Sequence, residues 1–262
     1  MNRQMLYKYR SFNNYGLQIL TNSEIYFSSP EELNDPLECQ FKNLLAAKEI
    51  ERRLTQEELE IFKELSKKLY DERGTNKLVP IFQAIENVSK RSGILSFCQT
   101  NDDPLMWSHY ADGHRGFCIG FSRSYFEDLI ANSWQEHSIV GGDEVDYSAS
   151  PKYLDVIVEY IKKYRKQGNH SLDTLIKQVL ISIVITKSDN WDYETEYRIV
   201  RFSKGLLKFR AEAIKEIIMG PKASPSDKTM LLSILKNPAL KHVDKKIADF
   251  SHNSFLMNIG DV

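Results

Sequence analysis

Apolar and polar positions alternate with a period of two at the start of the chain. Met5-Leu6-Tyr7-Lys8-Tyr9-Arg10-Ser11-Phe12 therefore predicts a strand, with Tyr7, Tyr9 and Ser11 on one face and Lys8 and Arg10 on the other. Residues 13–22 predict a short helix capped by Asn13 or Asn14, with Leu17 and Leu20 facing the core. Residues 23–29 predict a second strand, which Pro30 ends, and a turn-rich loop follows. Helical spacing of Leu54, Leu59, Phe62, Leu65 and Leu69 marks residues 47–73, with Thr55 and Glu58 as a capping box, and a second helix covers Leu78–Lys90.

Period-two or continuous apolar runs return at 93–98, 116–121, 143–147, 194–202 and Ile214–Met219, the last stopped by Gly220-Pro221. Pro104–Ala111 reads as a short helical turn. Residues 151–186 read as two helices broken near Gly168 and Asn169, Ser226–Leu235 as a helix, and residues 241–259 as closing strands. No internal repeat or linker interrupts the pattern. The expectation is one α+β domain over residues 1–262, a small mixed or split antiparallel sheet with a helical insertion at 46–92.

Charge and cysteine content narrow the function classes. Lys and Arg total 35, Asp and Glu 36, for a formal net charge of -1, so no global basic field draws the chain to nucleic acid or anionic lipid. Three cysteines (Cys39, Cys98, Cys118) form no C-x-x-C pair, and six scattered histidines form no H-E-x-x-H; no metal is expected. Reduced thiols, no apolar leader before Leu6 and no long apolar run point to a cytoplasmic protein without a membrane partner.

Four stretches place aromatic, polar and charged residues where a plain core would use Leu and Val. These are Tyr7–Ser11; Phe27-Ser28-Ser29-Pro30 with Asn34, Asp35 and Glu38; Met106-Trp107-Ser108-His109-Tyr110; and Trp191–Arg198. In the last, a strand would set Glu194, Glu196 and Arg198 on one face, about 7 Å apart per step. Like charges so placed repel. Either Arg198 pairs with Glu196 on a wet face, or the carboxylates do chemistry. Such a pair can divide acid and base roles, stabilise an oxocarbenium or, with Asp35 and Glu38, bind a divalent cation. Arg10 suits a phosphate, Ser28 and Ser29 a ribose, and the Tyr and Trp rings a flat base. His109 reads as a helical residue that either completes a hydrogen-bond network or donates to substrate.

The order YKYR, IYFSSPEELNDPLE, GILSFC, MWSHYADGHRGFCIGF, WDYETEYRI resembles a widespread bacterial domain of unknown function found near abortive-infection and phage-defence genes, over roughly residues 6–220. A weaker resemblance is to the R-S-E layout of ADP-ribosyltransferases. It implies an ADP-ribosyltransferase-like fold and NAD as substrate. Arg10 would meet the NAD phosphate or ribose, Ser28 and Ser29 would lie in the serine-bearing strand, and Glu196 would be the catalytic glutamate. Glu194 would activate the acceptor, and Tyr9 or Tyr110 would stack on nicotinamide. Asn34, Asp35, Trp107, His109 and Arg198 complete the expected ligand site. Departures are Pro30 directly after Ser28-Ser29, the long insertion, and no legible acceptor motif. The implied partners are a nucleotide-type small molecule, a protein or nucleic-acid acceptor, and a partner subunit or antitoxin of a defence system. Two alternatives stand: a metal-dependent nuclease using Asp35, Glu38, Glu194 and Glu196, and a non-enzymatic sensor or interaction module using Trp107, Tyr110, Trp191 and Tyr193.

Overall fold

The computed structural model describes residues 4–67, 79–132, 138–167 and 171–262. The strands are β1 (Met5–Arg10), β2 (Glu24–Phe27), β3 (Gly93–Cys98), β4 (Phe117–Ser122), β5 (Ile139–Glu144), β6 (Asp146–Tyr147), β7 (Thr186–Lys187), β8 (Glu196–Arg201), β9 (Gly205–Lys208), β10 (Ile214–Met219), β11 (Asp244–Phe250) and β12 (Met257–Asp261). The helices are α1 (Asn14–Asn22), α2 (Asn43–Arg53), α3 (Gln56–Lys67), α4 (Val79–Arg91), α5 (Pro104–Tyr110), α6 (Arg123–Asn132), α7 (Tyr153–Gln167), α8 (Leu172–Ile185) and α9 (Pro225–Ile234). The α+β class holds. The main sheet has eight strands in the order β12-β11-β10-β4-β1-β3-β8-β5, antiparallel throughout except for the parallel β10–β11 pair.

Local signals account for the element starts. Asn13 caps α1 by accepting the Gly16 N–H, and Thr55 with Glu58 forms the capping box of α3. Asp103 caps α5, whose first residue is Pro104. The helix break expected near Gly168 and Asn169 lies outside the described residues. The expected 143–147 strand is two pieces, β5 and β6, and β5 starts earlier, at Ile139. Three of these elements had no sequence expectation: α6, the short β7, which pairs with β6, and β9, which pairs with β2 in a separate ribbon.

The sheet has apolar cover on both faces. On one face Ile19 and Leu20 of α1, Phe126 of α6 and Leu231 of α9 pack over Leu6, Leu95, Phe97, Ile119 and Phe121. Each fully buried side chain of this size contributes roughly 1.5–3 kcal/mol by leaving water. On the other face Trp107 of α5 packs on Tyr9, Cys118 and Ile218, while Leu180 and Val184 of α8 pack on Ile94 and Val200. A further cluster built on α2, α3, α4, α7 and α8 centres on Ile50, Phe62, Phe82, Ile161 and Val179.

One irregularity positions the site. β1 registers with β4 over six residue pairs and β3 with β8 over six, but β1 and β3 register at a single pair, Tyr7 with Cys98. Past that pair the two strands stop sharing a ladder, so the middle of the sheet opens.

Candidate active site

A cavity of about 240 Å³ occupies this opening. Lys8, Tyr9 and Arg10 line one side, and Ser28, Ile94, Ser96 and Cys98 the other. Tyr110 follows from α5, and Lys187, Glu194, Glu196 and Arg198 come from the chain after α8. The first strand and the late acidic pair, far apart in sequence, therefore share one hollow.

Its floor is a buried ionic cluster of three carboxylates and two cations. The Lys187 ammonium stands 2.9 Å from Glu38, 2.5 Å from Glu194 and 2.9 Å from Glu196. Arg198 is forked onto Glu196, Nε to Oε2 and Nη2 to Oε1, both at 2.8 Å. It also donates to Glu38 at 2.7 Å and to the Val184 carbonyl at 2.8 Å. All five side chains are at most 5% exposed. The repulsion expected between Glu194 and Glu196 is thus relieved by an ammonium between them. Their spacing also differs from the expected strand. Glu194 ends a 3₁₀ turn (Asp189–Glu194), Thr195 takes a left-handed conformation (φ 41°), and β8 begins only at Glu196. The left-handed residue resets the side-chain phase, so both carboxylates reach Lys187.

The two glutamates are driven apart in acidity. Burial would raise Glu196, but Arg198 and Lys187 outweigh it and hold that carboxyl well below the usual carboxylate range. Burial, together with the hydrogen bond and charge of Glu196, pushes Glu194 up to about 7. The charge count explains this split. Three carboxylates against two cations leave one negative charge in excess, and a single proton on Glu194 neutralises it. The Tyr110 hydroxyl donates to Glu194 Oε1 at 2.5 Å and accepts from the Asn34 amide at 3.2 Å. The Tyr147 hydroxyl accepts the Glu196 backbone N–H at 2.9 Å.

The β1 wall is cationic, and Glu32 also lines the cavity. Arg10 makes no ion pair among the described residues, and burial alone lowers its pKa to about 10. Lys8 donates to the Ser96 carbonyl at 2.7 Å and lies 5.6 Å from the Phe97 ring centroid.

Four expected site residues lie off the cavity wall. Trp107 is fully buried, packs edge-on against Tyr9 at 5.2 Å and donates its indole N–H to Asn101 at 2.8 Å, so it supports the wall from behind. His109 is exposed and stacks loosely on Tyr193 at 6.2 Å. Ser29 is held in a turn, its backbone N–H donating to Glu32 at 2.7 Å. Asp35 accepts the Leu37 N–H at 2.8 Å and faces a neighbouring cavity of about 290 Å³ instead. Tyr9, Arg10, Ser28, Asn34, Tyr110, Glu194, Glu196 and Arg198 do converge. Lys8 and Lys187 were not singled out by sequence reasoning. A lone lysine between an apolar helix and an acidic turn carries no local signal for burial.

For the metal alternative, Lys187 stands where a divalent cation would have to sit among Glu38, Glu194 and Glu196. Among the described residues no group of three or more His, Cys, Asp or Glu is arranged to hold a metal ion. Nor does any helix among them have the length and apolarity to cross a membrane. Residues 106–199 match the family model described as Protein of unknown function (DUF2971). That segment carries most of α5, with Tyr110, and Lys187, Glu194, Glu196 and Arg198; β1, Ser28 and Glu38 lie outside it. No curated protein and no solved structure matches the chain.

Proposed function

We propose that the cavity binds the ribose-phosphate portion of a nucleotide and acts on its glycosidic bond, an ADP-ribosyltransferase-like activity with NAD as substrate. The observation that carries this reading is the pairing of two walls: a half-buried guanidinium on β1, without an ion pair among the described residues, shares the cavity with an acid–base carboxylate, Glu194, at the end of the turn before β8. At about 240 Å³ the cavity is below the roughly 300–1,000 Å³ common for drug-sized ligands. It therefore suits the nicotinamide-ribose end, with the adenosine outside.

Each residue then has a role. Arg10 pairs with phosphate, which a guanidinium matches in bidentate fashion. Glu196, kept ionised by Arg198 and Lys187, stabilises positive charge developing at the ribose anomeric carbon as the bond to nicotinamide breaks and the ring nitrogen takes the electron pair. Glu194, with its proton off, accepts the proton of the attacking hydroxyl or water. The tyrosines offer flat faces to the base. The resemblance of the sequence to a domain found near phage-defence genes supports an effector role.

Incubation with NAD, with nicotinamide followed by chromatography and binding by calorimetry, tests the reading. Release that falls about 10²–10⁴-fold in Glu194→Gln is expected. Neither release nor binding in the folded wild-type protein overturns it.

A further inference from the structure

Lys8 has no part in that chemistry, yet its surroundings are those of a reactive amine. It is half-buried on the cavity wall, and its one hydrogen bond among the described residues goes to a backbone carbonyl, Ser96 at 2.7 Å. The Phe97 ring lies beside it. It forms no ion pair among the described residues. The charged groups acting on it are Arg10, two residues along the same strand, and Glu196 across the cavity, whose carboxylate Arg198 and Lys187 already hold. Burial first, and the Arg10 charge second, lower the Lys8 pKa well below its ordinary value. A lysine partly desolvated beside a second cation gives up its proton more readily than a free one, which is how enzymes activate amines toward carbonyls.

We propose that Lys8 is a covalent site for a phosphorylated aldehyde: it forms an imine with the carbonyl while Arg10 holds the phosphate. The Lys8 nitrogen pair bonds to the carbonyl carbon and the C=O π pair moves to oxygen, which takes a proton. The carbinolamine then loses that hydroxyl as water, with one further proton, and the nitrogen loses its own. The sum is amine plus aldehyde giving imine plus water, and no oxidant or reductant enters. Glu194, on the same cavity, is the group there able to supply and recover a proton near neutrality. The ligand class is an open-chain sugar phosphate or a similar small aldehyde with one phosphate. The site does not depend on NAD being a substrate.

The experiment uses the full-length protein at pH 7 with one equivalent of pyridoxal 5′-phosphate, reduction by borohydride, and peptide mass mapping. The expected result is one predominant adduct, on the Lys8 peptide, at least tenfold over any surface lysine. Arg10→Ala is expected to cut that label about tenfold, while labelling of Lys8 by pyridoxal, which lacks the phosphate, is the same in both proteins. Adducts confined to surface lysines of the folded wild-type protein overturn the proposal. Equal phosphate-dependent labelling in Arg10→Ala overturns the part assigned to Arg10. The wild-type map decides the question even where a Lys8 variant does not fold. Because labelling needs no turnover, a null result here is separable from failure to release nicotinamide.

Discussion

Glu194 and Glu196 lie in contact with the same ammonium but in opposite states, and the two shifts act on stability in different pH windows. The folded-state pKa of Glu194 is raised from 4.5 to about 7. Between those values the native protein holds more protons than the unfolded chain, so this group makes stability fall as pH rises across the window. Glu196 is shifted the other way; its contribution is present above about 4.5 and is lost as pH falls below it. Chemical denaturation of wild type and Glu194→Gln at pH 5 and pH 7 checks this: the wild type is expected to lose stability toward pH 7 relative to the variant. A flat difference would show that Glu194 titrates normally. The same proton predicts that nicotinamide release climbs through a pH of about 7, and that Glu194→Gln removes the climb. Arg198→Ala is expected to cost about 3–5 kcal/mol, because it leaves three buried carboxylates with Lys187 as their one remaining cation in the cluster. At this scale the acidic pair and Arg198 were legible, because charges replace apolar residues in a strand pattern. Lys187 was not, because its role depends on partners 7, 9 and 149 positions away.

Two backbone positions decide whether the elements deliver those side chains. Thr195 is β-branched and sits at φ 41°, where such a residue is strained by about 1–3 kcal/mol. Thr195→Gly removes that strain but gives up some unfolded-state restriction, about 0.5–1 kcal/mol. A net gain of about 1 kcal/mol in denaturation midpoint analysis is expected, and a loss would mean the threonine contacts matter more than its backbone. Gly116, just before β4, has no room for a side chain: a Cβ there would lie 2.1 Å from the carbonyl oxygen of Arg10. Gly116→Ala is expected to destabilise by at least about 1–3 kcal/mol. It should also weaken binding of phosphate-bearing ligands through displacement of the end of β1. The sequence pattern predicted β1, β3, β4 and β10 closely, since each alternates or runs apolar between clear breakers. It started β8 two residues early, because Glu194 and Glu196 keep strand parity on paper and nothing local announces a left-handed threonine. It left α6 without an assignment because only Phe126 of that helix is buried.

Across the whole molecule, the decisive feature is the parting of β1 from β3 after one registered pair. Pairing between strands more than 80 positions apart leaves no trace in local periodicity, so the hollow was invisible even though eight of its nineteen lining residues had been identified. The same long range explains the residues that fell outside it. Trp107 and His109 sit on one short helix with Tyr110, and helix phase turns only the last of the three toward the opening. A ligand seated in the split joins the two halves of the sheet and should raise the melting temperature. At a hundredfold excess over Kd the gain is about 2.7 kcal/mol, measurable by calorimetry with NAD.

The Glu38–Arg198 bridge spans 160 positions. While the polypeptide is being synthesised, the acidic pair and its cationic anchors cannot assemble until β8 has emerged, and every shorter nascent chain carries the parts unassembled. Whatever this hollow binds, it can do so only after translation has passed Arg198.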